Sequence, residues 1–320
     1  MDWDVFNGDA DGICSLIQLR LEDPRDNAML VTGPKRDIVL LERVLAEPSD
    51  RVTVLDVSMA KNRDHLSRVL GEGAEVFYAD HHDPGEPFEH ARLDAHINTA
   101  GEMCTAAIVN AHLRGAWGDW AVVGAYGDNM DALAQRLAGS RDLPLKALQE
   151  LGRLINYNGY GASLEDLHYH PDALFKLLVP YGSPEDFLDV DEEIVPRLRE
   201  GYADDWRAAE AAEVLVSDAH VHAVMMEDEA GARRISGMFG NQLASDHPER
   251  AHAVLTRRGD VFVVSIRAPI ATRQGAVDLA KRFPTGGGRA AAAGVNALPE
   301  KELGAFLEAF EEVFGDGGVA

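Results

Sequence analysis

Short apolar runs alternate with helix-like patterns over the first 130 residues. The runs 3–6, 28–32, 52–55 and 76–79 are typical of buried strands. Between them, apolar residues recur at helical spacing in 13–21 and again in 38–44. Alternating strands and helices predict a mainly parallel sheet with right-handed crossovers, in which ligands bind at the carboxyl ends of the strands.

The remaining chain predicts a helical region followed by a second α/β unit. Segment 156–161 is rich in Gly and Asn and predicts an exposed loop, and the acidic run 189–193 predicts a solvated helix start. Strands are predicted near 220–226, 251–256 and 261–266. A final helix carries Leu303, Phe306, Leu307, Phe310 and Phe314 on one face. We therefore predict an α/β fold with domains 1–190 and 217–320, joined by a helical linker over 191–216.

Charge narrows the classes of partner. The chain has 54 acidic and 30 basic residues, a net charge of −24, which disfavours bulk binding of duplex nucleic acid. Segment 251–294 is the exception, because its arginines and lysines outnumber its acids. This segment contains Gly286-Gly287-Gly288-Arg289, a predicted loop whose backbone amides can approach a phosphate. Two cysteines, no secretory leader pattern and no long apolar run predict a soluble, reduced, cytoplasmic protein without membrane contact.

Acidic residues stand at the predicted strand ends. The first strand runs into Asn7-Gly8-Asp9-Ala10-Asp11-Gly12, the third ends at Asp56, and the fourth ends at Asp80-His81-His82. One such carboxylate is typical of a helix cap, but three on one edge of a sheet repel each other unless a cation lies among them. Oxygen and imidazole donors without thiolate favour Mn²⁺ or Mg²⁺, with Zn²⁺ or Fe²⁺ as alternatives.

These motifs, in this order, resemble the DHH phosphoesterases with a DHHA1 domain. That family includes RecJ-type exonucleases, nanoRNA and 3′-phosphoadenosine-phosphate phosphatases, and dinucleotide phosphodiesterases. The resemblance covers nearly the whole chain and rests on the 7–12 motif, Leu55-Asp56-Val57-Ser58, Asp80-His81-His82, Tyr126-Gly127-Asp128-Asn129, Ser265-Ile266-Arg267, and Gly286-Gly287-Gly288-Arg289 with Ala293-Gly294. It implies a parallel-sheet DHH domain and a smaller α/β DHHA1 domain, with the substrate cleft between them.

The resemblance also implies roles for individual residues. One or two Mn²⁺ or Mg²⁺ ions would be held by Asp9, Asp56, His81 and Asp128, with Asn7 and Asp11 as further candidates. His82 would meet the scissile phosphate or polarise a neighbour, and Asp80 would orient a ligand. The substrate phosphate would be bound by Arg267, Gly287, Gly288 and Arg289. The implied activity is metal-dependent hydrolysis of a phosphoester in a small nucleotide or short single-stranded oligonucleotide, and a homodimer is compatible with it.

Three positions depart from the family pattern. Asn7 stands where the pattern usually has a metal-binding aspartate, Trp3 where it often has a histidine, and Arg289 where the glycine motif often continues with histidine. Asn7 brings an oxygen ligand without charge, and Asp11 either compensates as a ligand or caps the following helix. Two alternatives therefore stay open, a non-hydrolytic module that binds nucleotides or a protein partner, and a pyrophosphatase or polyphosphatase.

A few residues outside the motifs are lesser candidates. His96, Asn98, His168 and His170 are each considered for substrate contact. Cys14 and Cys104 are predicted to be small core residues rather than reactive thiols.

Overall fold

The apolar runs near the N-terminus form a parallel sheet in the computed structural model, which describes residues 1–315. In this described part the strands of that sheet are Asp2–Phe6 (β1), Met29–Val31 (β2), Arg51–Leu55 (β3), Glu75–Asp80 (β4) and Leu93–Ile97 (β5). Their order is β2-β1-β3-β4-β5, and neighbouring strands are parallel. The strand order therefore reverses between β1 and β3, which is where open α/β sheets bind ligands.

The predicted parallel sheet is confirmed, but one strand was not predicted. Strand β5 reads Leu-Asp-Ala-His-Ile and lies at the edge of the sheet, with its middle residues exposed. It lacks the apolar run by which β1, β3 and β4 were recognised, because an edge strand buries less of its surface.

Nine α-helices follow the first strand in the part of the chain up to residue 210. They are Ala10–Glu22 (α1), Met59–Gly71 (α2), Thr105–His112 (α3), Gly118–Gly127 (α4), Asp131–Ala138 (α5), Leu145–Asn158 (α6), Pro171–Leu178 (α7), Pro184–Leu188 (α8) and Ile194–Glu210 (α9). One core cluster lies between the sheet and α2, and includes Val5, Val54 and Leu66. Side chains of α1 such as Ile13 and Leu16 are fully buried as well. The sheet is thus covered on both faces, as expected for a parallel sheet.

The helix predicted over 38–44 is wrong. Only a 3-10 turn forms there, over Leu40–Arg43, although Leu40 and Leu41 are fully buried. The buried side chain of Asn62 explains the difference. It accepts a hydrogen bond from the backbone N–H of Leu41 at 3.1 Å and donates to the carbonyl of Ile38 at 2.7 Å, so that the segment satisfies its backbone without a helix.

The exposed loop predicted over 156–161 is wrong for residues 156–158, although Gly159 and Tyr160 do form a turn. Asn156, Tyr157 and Asn158 form the buried end of α6. Their polar groups find partners inside the protein. The side chain of Asn158 donates to the carbonyl of Tyr169 at 2.8 Å and accepts from its N–H at 3.0 Å. A hydrogen-bonded asparagine is tolerated in the core, and composition alone does not reveal that bond.

The chain divides into two compact units, Met1–Glu200 and the residues from Gly201 onward, and the boundary falls inside α9. The strands of the second unit, within residues 201–315, are Glu213–Ser217 (β6), Val221–Met226 (β7), Ala251–Arg258 (β8), Val261–Arg267 (β9), Gly286–Gly288 (β10) and Ala292–Pro299 (β11). Their order is β10-β11-β9-β8-β7-β6, with β7 and β8 parallel and the other pairs antiparallel.

Helices Ala230–Asp246 (α10), Ala276–Ala280 (α11) and Leu303–Phe314 (α12) accompany this second sheet. The predicted apolar face of α12 is confirmed, because Phe306, Phe310 and Phe314 are buried and packed ring to ring. Two local predictions change. Residues 213–216, expected to be helical, belong to β6, and the glycines at 286–288 form strand β10 rather than a loop.

The start of α9 agrees with its prediction as a solvated helix start. Asp191 accepts hydrogen bonds from the N–H groups of Ile194 and Val195, at 2.8 and 2.7 Å, and Val190 beside it is exposed. Within residues 1–315, no helix combines the length and the apolar character needed to cross a membrane.

Candidate metal centre

Three carboxylates stand at the carboxyl ends of neighbouring strands. Asp9 follows β1, Asp56 follows β3, and Asp80 is the last residue of β4. All three are almost completely buried. Asp56 adopts a φ of 57°, in the left-handed region that non-glycine residues rarely enter, and its N–H donates to the carbonyl of Ala79 at 3.1 Å. Such strain in a buried acidic residue is typical of a functional site.

Two further carboxylates come from helices. Asp11 lies in the first turn of α1, and Asp128 immediately follows α4. The glycine before Asp128 sets their spacing, because a Cβ on Gly127 would lie 2.2 Å from the Cβ of Ala10. Helices α1 and α4 can therefore approach closely only because Gly127 has no side chain, and this approach brings Asp11 near Asp128.

Asp11 caps a helix, but not the one that follows it. Its two oxygens accept hydrogen bonds from the backbone N–H groups of Thr105 and Ala106, both at 2.7 Å, at the start of α3. The hydroxyl of Thr105 in turn donates to Asp56 Oδ1 at 3.1 Å. The residue that caps α1 is Asp9, whose Oδ1 accepts from the N–H of Gly12 at 3.1 Å.

His81 is oriented for metal binding. Its Nδ1 lies 2.8 Å from the carbonyl oxygen of Met103. Because a carbonyl oxygen only accepts, we assign the proton to Nδ1, which leaves the lone pair of Nε2 free. Nε2 lies 3.4 Å from Asp56 Oδ1, and 3.9 Å from both Asp11 Oδ2 and Asp128 Oδ2. This hydrogen bond from the second ring nitrogen is typical of metal-ligating histidines.

His82 and Asp80 form a pair beside this group. His82 Nδ1 lies 2.7 Å from Asp80 Oδ1 and 3.9 Å from Asp56 Oδ1, and the His82 side chain is 46% exposed. The hydrogen bond to Asp80 raises the pKa of His82 above its ordinary value. Asp80 thus holds the ring of His82, a partly solvent-exposed imidazole.

The donor atoms group into two triads that share His81. One is Asp56, His81 and His82, and the other is Asp11, His81 and Asp128, with the donor atoms of each within 4.8 Å of one another. Carboxylate and imidazole donors suit Mn²⁺, Mg²⁺ or another hard-to-borderline divalent ion. Both cysteines, Cys14 and Cys104, are fully buried and free, as predicted, and burial raises the pKa of each thiol well above its ordinary value.

The carboxylates of the site differ in the direction in which their pKa values are shifted. Burial, with the charge of Asp128, raises the pKa of Asp11 to about 6. Burial, with the charge of Asp9, raises the pKa of Asp56 well above its ordinary value, and burial raises that of Asp128. Burial also acts on Asp9, but there the neighbouring ammonium of Lys35 outweighs it and the pKa is lowered. Asp11 and Asp56 are therefore the groups that a divalent cation would stabilise most.

Lys35 is the residue of this site that the sequence did not reveal. Its Nζ lies 2.6 Å from Asp9 Oδ2 and 3.4 Å from Asp128 Oδ1. No motif contains it, because it stands alone in the loop after β2. A single lysine in a loop carries no pattern that identifies it as part of a site.

The positions that depart from the family pattern have their own partners. Asn7 Oδ1 accepts from the N–H of Asp9 at 3.3 Å, and its amide nitrogen donates to the carbonyl of Lys35 at 3.4 Å. The indole N–H of Trp3 donates to Asp50 Oδ2 at 3.1 Å. Asn7 therefore lies beside Asp9 and Lys35 in the site, whereas Trp3 is occupied by a structural hydrogen bond.

The candidate phosphate-binding residues belong to the second unit. Arg267, at the end of β9, donates to Asn241 Oδ1 at 2.7 Å and to Ser265 Oγ at 2.8 Å. Gly288 has a φ of 140°, and a Cβ on it would lie 2.4 Å from Ala293 Cα.

The other two candidates in this group are less constrained by the fold. A Cβ on Gly287 would meet no described atom within 4 Å, so sterics within the unit do not explain that glycine. The side chain of Arg289 is exposed, and its N–H donates to the carbonyl of Ala292 at 2.8 Å.

The lesser candidates mostly have partners of their own. His168 Nε2 lies 2.9 Å from the hydroxyl of Tyr157, and His96 Nε2 lies 3.1 Å from Asp94. Asn98 accepts from the N–H of Ala100. His170 is exposed at the start of α7. None of these four joins either metal triad within residues 1–315.

No family model matches the sequence, and the search of curated proteins found no match. Solved structures do match over nearly the whole chain. The DHH domain of a member of the s1p family of ribosomal proteins aligns with a TM-score of 0.62 and 14% identity, covering 97% of this chain and 85% of that chain. Exonuclease RecJ bound to manganese aligns with a TM-score of 0.60 and 18% identity, covering 97% and 89%.

A third solved structure is a pGpG-specific phosphodiesterase, PggH, from Vibrio cholerae. It aligns with a TM-score of 0.60 and 16% identity, covering 97% of both chains. At these identities the likeness establishes the fold, and the fold is that of DHH-domain proteins.

Proposed function

We propose that this chain, which has the fold of the DHH-domain proteins, is a divalent-metal-dependent phosphoesterase. The observation that carries the proposal is the orientation of His81. Its Nδ1 is held by the carbonyl of Met103, and its Nε2 faces Asp11, Asp56 and Asp128 within 3.9 Å. An imidazole lone pair that faces two buried carboxylates and a partly buried one forms a favourable site for a divalent cation, because without a cation their negative charges would repel each other.

The metal ligands would be Asp11, Asp56, His81 and Asp128. A divalent cation bound there would acidify a water molecule and stabilise charge that develops on a phosphoryl oxygen. The hydrogen bonds from Thr105 and Ala106 to Asp11 fix the direction of its oxygens. The hydrogen bond from Thr105 Oγ1 likewise fixes Asp56, so both carboxylates are held in place before a cation arrives.

His82 would act on the substrate directly. Its raised pKa, caused by Asp80, increases the protonated fraction at neutral pH, and its exposed ring can donate a hydrogen bond to a phosphoryl oxygen or a proton to a leaving oxygen. Asp80 would act as a positioning residue, because it holds His82 Nδ1 and is itself fully buried.

The substrate would be a small nucleotide or a short single-stranded oligonucleotide. The net charge of −24 disfavours a long polyanion. We assign phosphate binding to Arg267, Arg289 and the glycines Gly287 and Gly288, and propose that the second unit is a DHHA1 domain. The fold likeness to exonuclease RecJ and to a pGpG-specific phosphodiesterase supports a nucleotide substrate. The cytoplasmic location and a homodimer stay predictions from the sequence.

A substrate panel with Mn²⁺ and with EDTA tests this proposal. The panel contains pGpG, longer single-stranded oligonucleotides, a nucleoside bisphosphate and polyphosphate. We expect Mn²⁺-dependent hydrolysis of a short substrate, lost in His81→Ala and Asp56→Ala proteins that keep the wild-type circular dichroism spectrum. His90→Ala is the control, because His90 is exposed and stands in neither metal triad. Equal rates in wild type and His81→Ala would contradict the proposal, and phosphate release from polyphosphate alone would select a polyphosphatase.

A second candidate is a module that binds nucleotides without hydrolysing them. The ion pair between Lys35 and Asp9 favours it, because Asp9 then faces an ammonium, which does not acidify a water molecule as a divalent cation does. Binding of pGpG with micromolar or tighter affinity, with no product in the presence of Mn²⁺, would select this candidate.

A further inference from the structure

The ammonium of Lys35 is fully coordinated by the protein. Its Nζ lies 2.6 Å from Asp9 Oδ2, 3.2 Å from Asn156 Oδ1 and 3.4 Å from Asp128 Oδ1. An ammonium group has three N–H donors, and here three oxygens surround it. These oxygens come from three separate places in the chain, the start of α1, the end of α4 and the last turn of α6.

The backbone of Lys35 is fixed on both sides. Its N–H donates to the carbonyl of Gly159 at 2.7 Å, and its carbonyl accepts from the side chain of Asn7 at 3.4 Å. The ring of Tyr160 lies 5.4 Å from Nζ, within range of a cation–π contact. The side chain is 25% exposed, so a residue type that usually lies in solvent is here largely enclosed.

Asp128 divides the site into two halves. Its Oδ1 lies 3.4 Å from Lys35 Nζ, and its Oδ2 lies 3.9 Å from His81 Nε2. On the His81 side lie Asp11, Asp56 and His82, the other members of the two triads. On the Lys35 side stands Asp9, which belongs to neither triad within residues 1–315. One carboxylate thus faces two cation positions, and the ammonium occupies one of them.

Asn7 supports this arrangement through its amide. A carboxylate at this position would have no hydrogen to donate and would place a negative oxygen against the carbonyl of Lys35. The amide donates to that carbonyl and adds no charge beside Asp9. With one ammonium in place of a divalent ion, a neutral residue at position 7 keeps the local charge closer to balance.

We propose that Lys35 is a built-in cation that takes the place of one divalent ion, so that each chain binds a single divalent ion, on the Asp11–Asp56–His81 side. The inference rests on the divalent-cation site proposed above. It assigns Asp9, Asn7 and Asn156 to holding Lys35.

Counting bound Mn²⁺ tests the inference without an activity assay. Each protein is dialysed to equilibrium against saturating Mn²⁺, and manganese per chain is measured by mass spectrometry. We expect one ion in the wild type and one in Lys35→Arg, which keeps the charge. We expect two in the double variant Asn7→Asp, Lys35→Met, which frees Asp9 and supplies a second carboxylate. Lys176→Met is the matched control, because Lys176 is exposed and pairs with Asp172 on the surface, and it should bind one ion.

Wild-type protein alone already decides part of the question, since two ions or none per chain would overturn the inference even if the double variant failed to fold. A folded double variant that still binds one ion would also overturn it. The count is independent of the reaction. If the wild type binds one ion and the double variant binds two, but the wild type hydrolyses no substrate, the proposed role of Lys35 stands and the phosphoesterase proposal is rejected. Hydrolysis by a wild type holding two ions would do the reverse.

Discussion

Asp11 caps helix α3 and also faces the proposed metal position, and alanine at this position separates the two roles. Its carboxylate accepts from the N–H groups of Thr105 and Ala106 at 2.7 Å. The same carboxylate lies beside His81 and Asp128 in one of the triads. Asp11→Ala removes both the cap and the charge, and the balance between them depends on whether a divalent cation is bound.

The magnitudes follow from the burial of Asp11. Two hydrogen bonds to an ionised acceptor contribute about 1.5–3 kcal/mol each, so their loss costs about 3–6 kcal/mol. Without metal, burial and then the charge of Asp128 raise the pKa of Asp11 from 3.8 to about 6. A raised pKa means that the folded state binds the proton more tightly, so stability falls as pH rises from 3.8 through 6. At pH 7 the full cost applies, about 3 kcal/mol.

These two energies predict that the destabilisation caused by Asp11→Ala depends on whether metal is bound. In metal-free protein at pH 7, Asp11→Ala relieves the charge and loses only about 0–3 kcal/mol of unfolding free energy. With Mn²⁺ bound, the cation compensates the charge of Asp11, so Asp11→Ala should lose about 3 kcal/mol more unfolding free energy than it loses without metal. Saturating Mn²⁺ at 100 times its dissociation constant contributes about the same amount to the stability of a protein that binds it. Urea unfolding at pH 7, in EDTA and in excess Mn²⁺, measures both values.

Asp191→Ala is the matched control for this experiment. Asp191 accepts from the backbone N–H groups of Ile194 and Val195 at 2.8 and 2.7 Å and of Glu193 at 3.3 Å, so it caps a helix as Asp11 does, but it stands in neither metal triad. Its loss should be about 1–2 kcal/mol and the same in both solutions. If Asp11→Ala destabilised the protein equally with EDTA and with Mn²⁺, Asp11 would be a cap alone and the proposed ligand set would be wrong.

Two further predictions concern the packing and the pH dependence of the two units. Gly127→Ala would place a Cβ 2.2 Å from that of Ala10, so we expect a loss of about 1–3 kcal/mol and weaker Mn²⁺ binding, whereas Gly71→Ala, whose Cβ meets nothing within 4 Å, should leave both unchanged. Burial lowers the pKa of His252 to about 4, below the ordinary 6.5, so the unfolded chain binds the extra proton and stability falls as pH drops from 6.5 towards 4. Between pH 7 and pH 5, the unfolding free energy of His252→Gln, measured with urea, should therefore fall by about 2 kcal/mol less than that of the wild type. Identical losses would show that His252 is not the titrating group.

Sequence reasoning succeeded where the signal was local. The apolar runs of β1, β3 and β4 are buried on both faces, so each stands out as a continuous stretch. The acidic residues that end these strands, such as Asp9 and Asp56, could be placed on one edge because parallel strands end on the same side. It failed where a buried asparagine makes hydrogen bonds that composition does not reveal, as Asn62 does with the segment 38–44 and Asn158 does with Tyr169.

The residues that sequence reasoning missed or misassigned act over long separations. The helix that Asp11 caps was expected to be its own, yet its carboxylate caps α3, which begins 94 residues later. Lys35 meets Asp9, Asp128 and Asn156, and no local pattern links these four positions. Such contacts are set only when the helices have packed, so they cannot be inferred from spacing along the chain.

The packing of α1, α4 and α6 brings Lys35 to the carboxylates, and so determines how many divalent ions are required to balance their charge. Small residues let these helices approach, since a Cβ on Gly152 of α6 would lie 2.4 Å from the carbonyl oxygen of Val123 in α4. This approach places Asn156 and Asp128 within reach of Lys35. A carboxylate cluster at a strand edge would otherwise require divalent ions for all of its charge. In this protein the helix packing places the ammonium of Lys35 beside Asp9 and Asp128. A divalent ion is then required only beside Asp11, Asp56 and His81.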